Sequence, residues 1–385
     1  MKFFKKLINI KLVLKPPKIK KVLVYDNSNI QVFENLLNKK DYNIFFNRYE
    51  ELNLFILKNA IFIFIKKIFK FKSSSLSSIY VYEFIKASNP KLVITLVDNK
   101  LSYFLLKKRF PKIKFFLIQN GNSLIDFKEI LSQNKKGLFI DKLMTFNKIY
   151  AKEFNKYVKG KKIIIGSIKN NFVKIKKYKT IKVLFVSQFR KFKKHKKEVY
   201  VTSQDKKKYT WEDFYQYEKK IIKLLAKFCI NNDYKLSIAG FYENKHGAAE
   251  KNFYNEQLIH FPNLKWEVYN KIDIYSTYKL IDRSSLVVFI DSALGYETLM
   301  RNTKCVSFSV RKIKGRNFGW PKKLNQEGPF WINYFDETKC LKKLNHISQI
   351  SQNHWKKLKN KYIKDLIFYN FKNTELSKII NKEIK

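Results

Sequence analysis

Residues able to do chemistry gather where apolar runs end in polar ones. The clearest case is Leu286 to Glu297, in which Leu-Val-Val-Phe-Ile passes directly into Asp291-Ser292-Ala293-Leu294-Gly295-Tyr296-Glu297. Such a run reads as a buried strand entering a helix, with Ser292 as N-cap and Gly295 in the first turn. Unpaired N–H groups at a helix start favour an anion such as a diphosphate, and Gly295 would let it approach closely. Glu297, one turn in, could accept hydrogen bonds from a ribose diol. An ordinary N-cap, with Glu297 placed by the helix dipole, explains the spacing equally well. Three of the seven Arg, Arg301, Arg311 and Arg316, fall within sixteen residues just beyond. In a chain that otherwise uses Lys, this clustering suits the planar fork that holds phosphate or carboxylate, a solvated loop being the alternative.

Other strand ends carry weaker signals. Ser187-Gln188-Phe189-Arg190 opens a basic loop after an apolar run, where a phosphate-contacting loop would belong. Asp98-Asn99 and Gln119-Asn120-Gly121-Asn122 also follow apolar runs. Their amides suit sugar hydroxyls or simply turns, Asn-Gly being a strong turn signal. The chain contains no GxGxxG, no GxxxxGK[ST], no GxSxG and no HExxH. A nicotinamide dehydrogenase, a P-loop NTPase, a serine hydrolase and a zincin are thereby disfavoured. The five His lack metal-ligand spacing and the three Cys lie far apart, so no metal site is expected.

The elements that position these residues alternate. Strands are expected at Lys21–Tyr25, Tyr42–Asn47, Leu92–Val97, Lys114–Gln119, Lys142–Phe146 and Lys162–Ile165, with helical patterns between them. After a basic stretch at Lys174–Lys179 the rhythm restarts at Lys182–Val186 and runs to Cys305–Val310, followed by a charged helical end. Buried strands alternating with helices predict an α/β fold of two Rossmann-like, doubly wound parallel-sheet domains facing a cleft. The expected division is 1–175 and 180–385.

Composition bounds the rest. In 385 residues, 80 Lys+Arg stand against 31 Asp+Glu, a net charge of +49, and 45% of residues are hydrophobic. Disorder is excluded, since so apolar a chain can offset its ordering entropy. The charge invites a nucleic-acid reading, but the Lys are spread along the whole chain without forming one stripe, which argues against it. Attraction to an anionic membrane surface survives as a consequence of the charge. No targeting segment is evident, and a reducing cytoplasm suits the Cys usage. Leu52 to Phe71 is the strongest membrane candidate, yet Lys58, Asn59, Lys66, Lys67 and Lys70 interrupt it. It reads as a buried amphipathic helix or as one lying at the inner face of the cytoplasmic membrane.

The runs Pro90–Asn99, Phe116–Gly121, Ile165-Gly166-Ser167 and Phe289–Glu297 resemble those of bacterial surface-carbohydrate (O-antigen or capsule) biosynthesis proteins, glycosyltransferases of the two-domain GT-B architecture. The resemblance implies an acceptor-side N-terminal domain and a C-terminal domain for a nucleotide-sugar donor, which enters as substrate, with no cofactor. It implies donor binding by Ser292, Gly295 and Glu297, with Ser187 and Arg190 as lesser candidates, and the clustered Arg311 and Arg316 join them as phosphate contacts on their spacing alone. Asp98, Asn99, Gln119 and Asn120 take acceptor-side roles, toward a lipid-linked or glycan acceptor. Such enzymes stabilise the leaving diphosphate with helix dipoles and basic side chains, so no obligatory metal is expected. The Glu-x7-Glu pattern of many retaining members is absent, leaving the stereochemistry open. An inverting transfer needs a base at a strand end of the N-terminal domain, for which Asp98 and then Asp26 are the candidates. Asp98 capping a helix near Lys100 is the competing reading. A sugar-nucleotide epimerase of similar fold and a non-enzymatic nucleic-acid or membrane-surface binding protein are the alternative functions.

Overall fold

The computed structural model describes residues 10–48, 50–69, 75–98, 100–121, 137–176, 178–191, 198–203, 205–243, 247–311, 313, 326–363, 366 and 368–385. It divides into two compact units, Met1–Ile168 with Lys372–Lys385, and Lys169–Phe371.

The first unit is built on β1 (Val22–Tyr25), β2 (Tyr42–Phe45), β3 (Leu92–Thr95), β4 (Lys114–Ile118), β5 (Leu138–Thr145) and β6 (Val158–Ile164). The order is β2-β1-β3-β4-β5-β6 and every pair is parallel. In β1, β3 and β4 every residue but Lys114 is buried, the pattern of strands covered on both faces. Leu23, Tyr25, Val93, Phe115 and Leu117 share one cluster with Tyr80, Phe84 and Tyr103, which helices supply. Those helices include α1 (Leu54–Phe69), α2 (Leu76–Ser88), α3 (Leu101–Arg109) and α4 (Lys148–Asn155). Side chains of Ser75 and Asn147 accept the first-turn N–H groups of α2 and α4, fixing where those helices begin.

The second unit contains β7 (Ile181–Val186), β8 (Leu236–Glu243), β9 (Trp266–Lys271), β10 (Ser284–Phe289), β11 (Lys304–Phe308), β12 (Glu327–Gly328) and β13 (Trp331–Ile332). Their order is β9-β8-β7-β10-β11-β13-β12, parallel except for the β12/β13 hairpin. Around it lie α5 (Trp211–Asn231), α6 (Ala248–Leu258), α7 (Ser276–Arg283), α8 (Ala293–Met300), α9 (Glu337–Gln349) and α10 (Gln352–Ile363). A capping box between Thr210 and Asp213 sets the start of α5.

The last helix, α11 (Thr374–Ile384), departs from the expected division. It belongs to the first unit and buries Leu376, Ile380 and Ile384 there. Lys142 pairs with Glu383, and Lys91 Nζ donates to the Lys385 carbonyl at 2.8 Å. The boundary also falls at 168/169 and not at 175–180. The supposed linker is pinned to the second unit instead. Lys176 N–H and Lys179 Nζ bond Asp282, and Arg301 reaches the carbonyls of Val173 and Lys174. No helix among the described residues is long and apolar enough to cross a membrane.

Candidate functional site

The parallel strands of each sheet reverse their direction of growth once, and open α/β sheets bind ligands beyond the strand ends at that reversal. In the second unit the reversal lies between β7 and β10; in the first, between β1 and β3.

In the second unit, Ser187-Gln188-Phe189-Arg190 leaves β7, Asp291-Ser292 leaves β10 and Ser309-Val310-Arg311 leaves β11. Gln188 ties the three together. Its Nε2 donates to the Asp291 carbonyl, and its Oε1 accepts from Arg311 Nη1 at 2.6 Å. Arg311 is buried, lies 3.4 Å from Glu218 and 3.9 Å from Asp291, and stacks over Phe214 at 4.4 Å. Ser309 Oγ donates to the other oxygen of Asp291. The fork of Arg311 is thus engaged by the unit's own groups. Arg301 behaves alike, gripping Asp282 through Nε at 2.7 Å and through Nη2, and Asn170 at 2.8 Å.

Behind Ser187 runs a buried chain of acids and hydroxyls. Ser187 Oγ meets Glu250 Oε1, and Tyr254 Oη lies 2.7 Å from both Ser187 Oγ and Glu218 Oε1. Three oxygen–oxygen contacts share two hydroxyl protons, so filling all three requires one carboxyl to carry a proton. Burial pushes both Glu218 and Glu250 up, opposed by Arg311 for Glu218 and by Ser187 and the Phe241 and Tyr242 N–H groups for Glu250. Burial also pushes Tyr254 well up.

Ser292 caps α8, its Oγ accepting from Leu294 N–H at 3.3 Å. Gly295 is a packing residue in this structure. A Cβ there would lie 2.0 Å from the Phe289 ring, so the glycine lets the helix sit on β10's last side chain. Glu297 is buried and accepts from Tyr278 Oη at 2.9 Å. Arg190 lies over the Phe241 ring at 3.1 Å and donates to the carbonyls of Gln188 and Phe189. Arg316 lies outside the described residues.

In the first unit, Asp26 follows β1 and Asp98 follows β3, so the two base candidates flank the reversal. Thr95 Oγ1 bridges the same strands, donating to the Tyr25 carbonyl at 2.7 Å. Asp26 has φ 90°, a left-handed conformation strained for a residue with a Cβ. Its carboxylate accepts from Ser28 N–H at 2.8 Å and from Ser28 Oγ, with Arg48 Nε at 3.4 Å. Burial would raise this carboxyl, but those bonds and the Arg48 charge hold it below its ordinary value. Asp98 is buried and accepts from Asn120 N–H at 3.1 Å. It is not the N-cap of α3; that position is Lys100, which makes no side-chain cap bond. Gln119 braces two segments, donating to the Gly121 carbonyl and accepting from Phe146 N–H, both at 3.0 Å. The Asn120 side-chain oxygen Oδ1 is buried without a hydrogen-bond partner among the described residues. Asn99 lies outside them.

Sequence reasoning missed Glu218, Glu250 and Tyr254. A signal existed: Glu218 stands on the stripe Tyr215, Ile221, Ile222, Leu225 of α5, where a carboxylate needs partners. Among the described residues no group of three His, Cys, Asp or Glu is placed to hold a metal ion.

Two Rossmann-like units, each with polar strand ends at its reversal, define a GT-B-like α/β protein. Residues 116–384 match the family described as "putative O-antigen biosynthesis protein", and the chain belongs to that family. No curated protein sequence matches it. Among solved structures, it is similar to a "putative UDP-N-acetylglucosamine 2-epimerase" from Listeria monocytogenes (10% identity, 94% of this chain and 95% of that one, TM-score 0.53). It is also similar to the Methanocaldococcus jannaschii UDP-GlcNAc 2-epimerase in complex with UDP-GlcNAc and UDP (10% identity, 97% and 100%, TM-score 0.50). A third similar structure is the wall teichoic acid polymerase TagF (11% identity, 96% and 89%, TM-score 0.49). At these identities the likeness is one of fold.

Proposed function

We propose that this protein is a glycosyltransferase that moves a sugar, or a related unit, from a nucleotide-activated donor onto a surface-polysaccharide or O-antigen precursor. One observation carries the reading: the β7/β10 reversal of the second unit is flanked by Ser187–Arg190 and by the Ser292 start of α8, with Glu297 one turn further. In this reading the α8 N-terminus faces the donor diphosphate, Ser292 and Glu297 contact the nucleotide, and Arg190 and Arg316 add positive charge. Asp98 takes the acceptor proton, and Gln119, Asn120 and Asn99 line the acceptor side. Transfer needs no metal ion.

A sugar-nucleotide epimerase is the second reading, favoured by the epimerases of similar fold. It calls for carboxylates converging on the sugar. Glu218, Glu250 and Asp291 do gather near the strand ends, but each is engaged by Arg311, Ser187, Tyr254, Ser309 or backbone N–H groups, which favours transfer.

The test is thermal stabilisation by UDP, CDP and GDP, with UDP first because a similar structure holds it. A ligand at 100 times its Kd stabilises by about 2.7 kcal/mol. Ser292→Ala and Glu297→Gln are expected to lose that response while remaining folded. Wild-type response in both variants moves the donor site elsewhere, and turnover of a UDP-sugar without an acceptor selects the epimerase.

A further inference from the structure

Helix α1 of the first unit is apolar on both sides. Its inner side is held by Ile56 and Ala60, which are fully buried. The other side exposes Phe55, Ile61, Phe62 and Ile65, with Phe62 59% accessible. Residues 55, 58, 62, 65 and 66 recur at intervals of three, four, three and one, so they form one stripe along the helix. Into this stripe fall Lys58 and Lys66, both exposed, and Lys66 Nζ lies 4.2 Å above the Phe62 ring. No Asp or Glu occurs within α1. The strand Lys11–Val13, paired with Glu51–Asn53 immediately before the helix, adds exposed Leu12, and Leu14 follows it. Glu51, the last acid before α1, is taken up by Lys11 at 2.9 Å.

We infer that this face docks the protein on an anionic lipid bilayer, α1 lying in the plane of the surface. Large apolar side chains interspersed with Lys58 and Lys66, with no carboxylate on α1 itself and Glu51 paired to Lys11, match the acyl boundary below and the headgroups above. The sixteen residues of α1 span about 24 Å, a length that lies along a membrane without crossing it. Charge complementarity separates this occupant from a second copy of the chain, which would bring Lys58 and Lys66 against another basic stripe on a molecule of net charge +49. The inference stands on these surface residues alone and is independent of the proposed transfer.

The test is co-sedimentation of the full chain with vesicles of phosphatidylcholine, with and without phosphatidylglycerol, at physiological salt. A variant carrying Phe55→Ser, Phe62→Ser and Ile65→Ser keeps the charge and alters only exposed positions. It is expected to bind anionic vesicles about tenfold more weakly or worse than the wild type, with an unchanged melting temperature. Lys58→Glu with Lys66→Glu is expected to do likewise. Equal binding by the triple-serine variant overturns the inference, because diffuse charge would then account for the attraction. A dimer that the triple-serine variant abolishes, with no vesicle binding by the wild type, also overturns it.

Discussion

Asp98 and Asp26 occupy equivalent strand ends, yet their surroundings differ. Asp26 is locked by Ser28 and Arg48 and held ionised, whereas Asp98 accepts a backbone N–H from Asn120 and is not the N-cap of α3. Asp98→Asn is therefore expected to leave the melting temperature nearly unchanged and to lower transfer by about 100-fold or more, as loss of a general base does. Turnover at the wild-type rate would pass the role to Asp26. The Glu250–Ser187–Tyr254–Glu218 chain gives a pH dependence. A carboxyl whose folded pKa lies above its unfolded value, about 4.3, contributes stability that is complete below that value. That contribution is lost as pH rises through the folded pKa. Both Glu218 and Glu250 are shifted this way, so stability should fall as pH rises above about 4.5. In Glu250→Gln, whose amide can donate to Ser187 and accept from Tyr242 N–H, the decline should be shallower; melting temperatures from mildly acidic to neutral pH measure it.

At the scale of elements, α8 and β10 make one unit through Gly295. With a Cβ facing the Phe289 ring at 2.0 Å, Gly295→Ala is expected to cost about 1–3 kcal/mol. Adding Phe289→Leu should recover part of that cost, a coupling that a denaturation double-mutant cycle reads directly. Arg311→Lys should also destabilise, because an ammonium cannot span Gln188, Glu218 and Asp291 together. Much of this was legible beforehand. The apolar runs at Leu92 and Leu286, with polar residues at their ends, marked strands of both sheets, because strands buried on two faces must be nearly all apolar, whereas the strand order that places the reversals was not read. The partners were not legible. That Arg301 would grip Asp282, and Arg311 Glu218, depends on contacts between residues 19 and 93 positions apart, which no local pattern encodes. Helix α1 was read as a buried amphipathic helix or as one lying on a membrane, and its burial is one-sided, with Ile56 and Ala60 covered and Phe55, Phe62 and Ile65 exposed.

At the scale of the whole molecule, the second unit is one continuous stretch and the first is closed by its last fourteen residues. Removing Lys372–Lys385 uncovers what Leu376, Ile380 and Ile384 cover, at roughly 1.5–3 kcal/mol for each buried side chain. Calorimetry on the truncated chain should show the transition of the first unit lowered or lost, with that of the second retained. A single unaltered transition would contradict this.

The position of α11 also sets an order of assembly on the ribosome. Domains ordinarily fold from the N-terminus as they emerge. Here β1 to β6 are synthesised first but wait for α11, so Lys169–Phe371 can mature while the earlier half is still incomplete. Throughout that interval Lys142 and Lys91 lack the Glu383 and Lys385 partners that the C-terminal segment brings. A chain terminated and released after Phe371 would therefore carry every element of the second unit but an unfinished first.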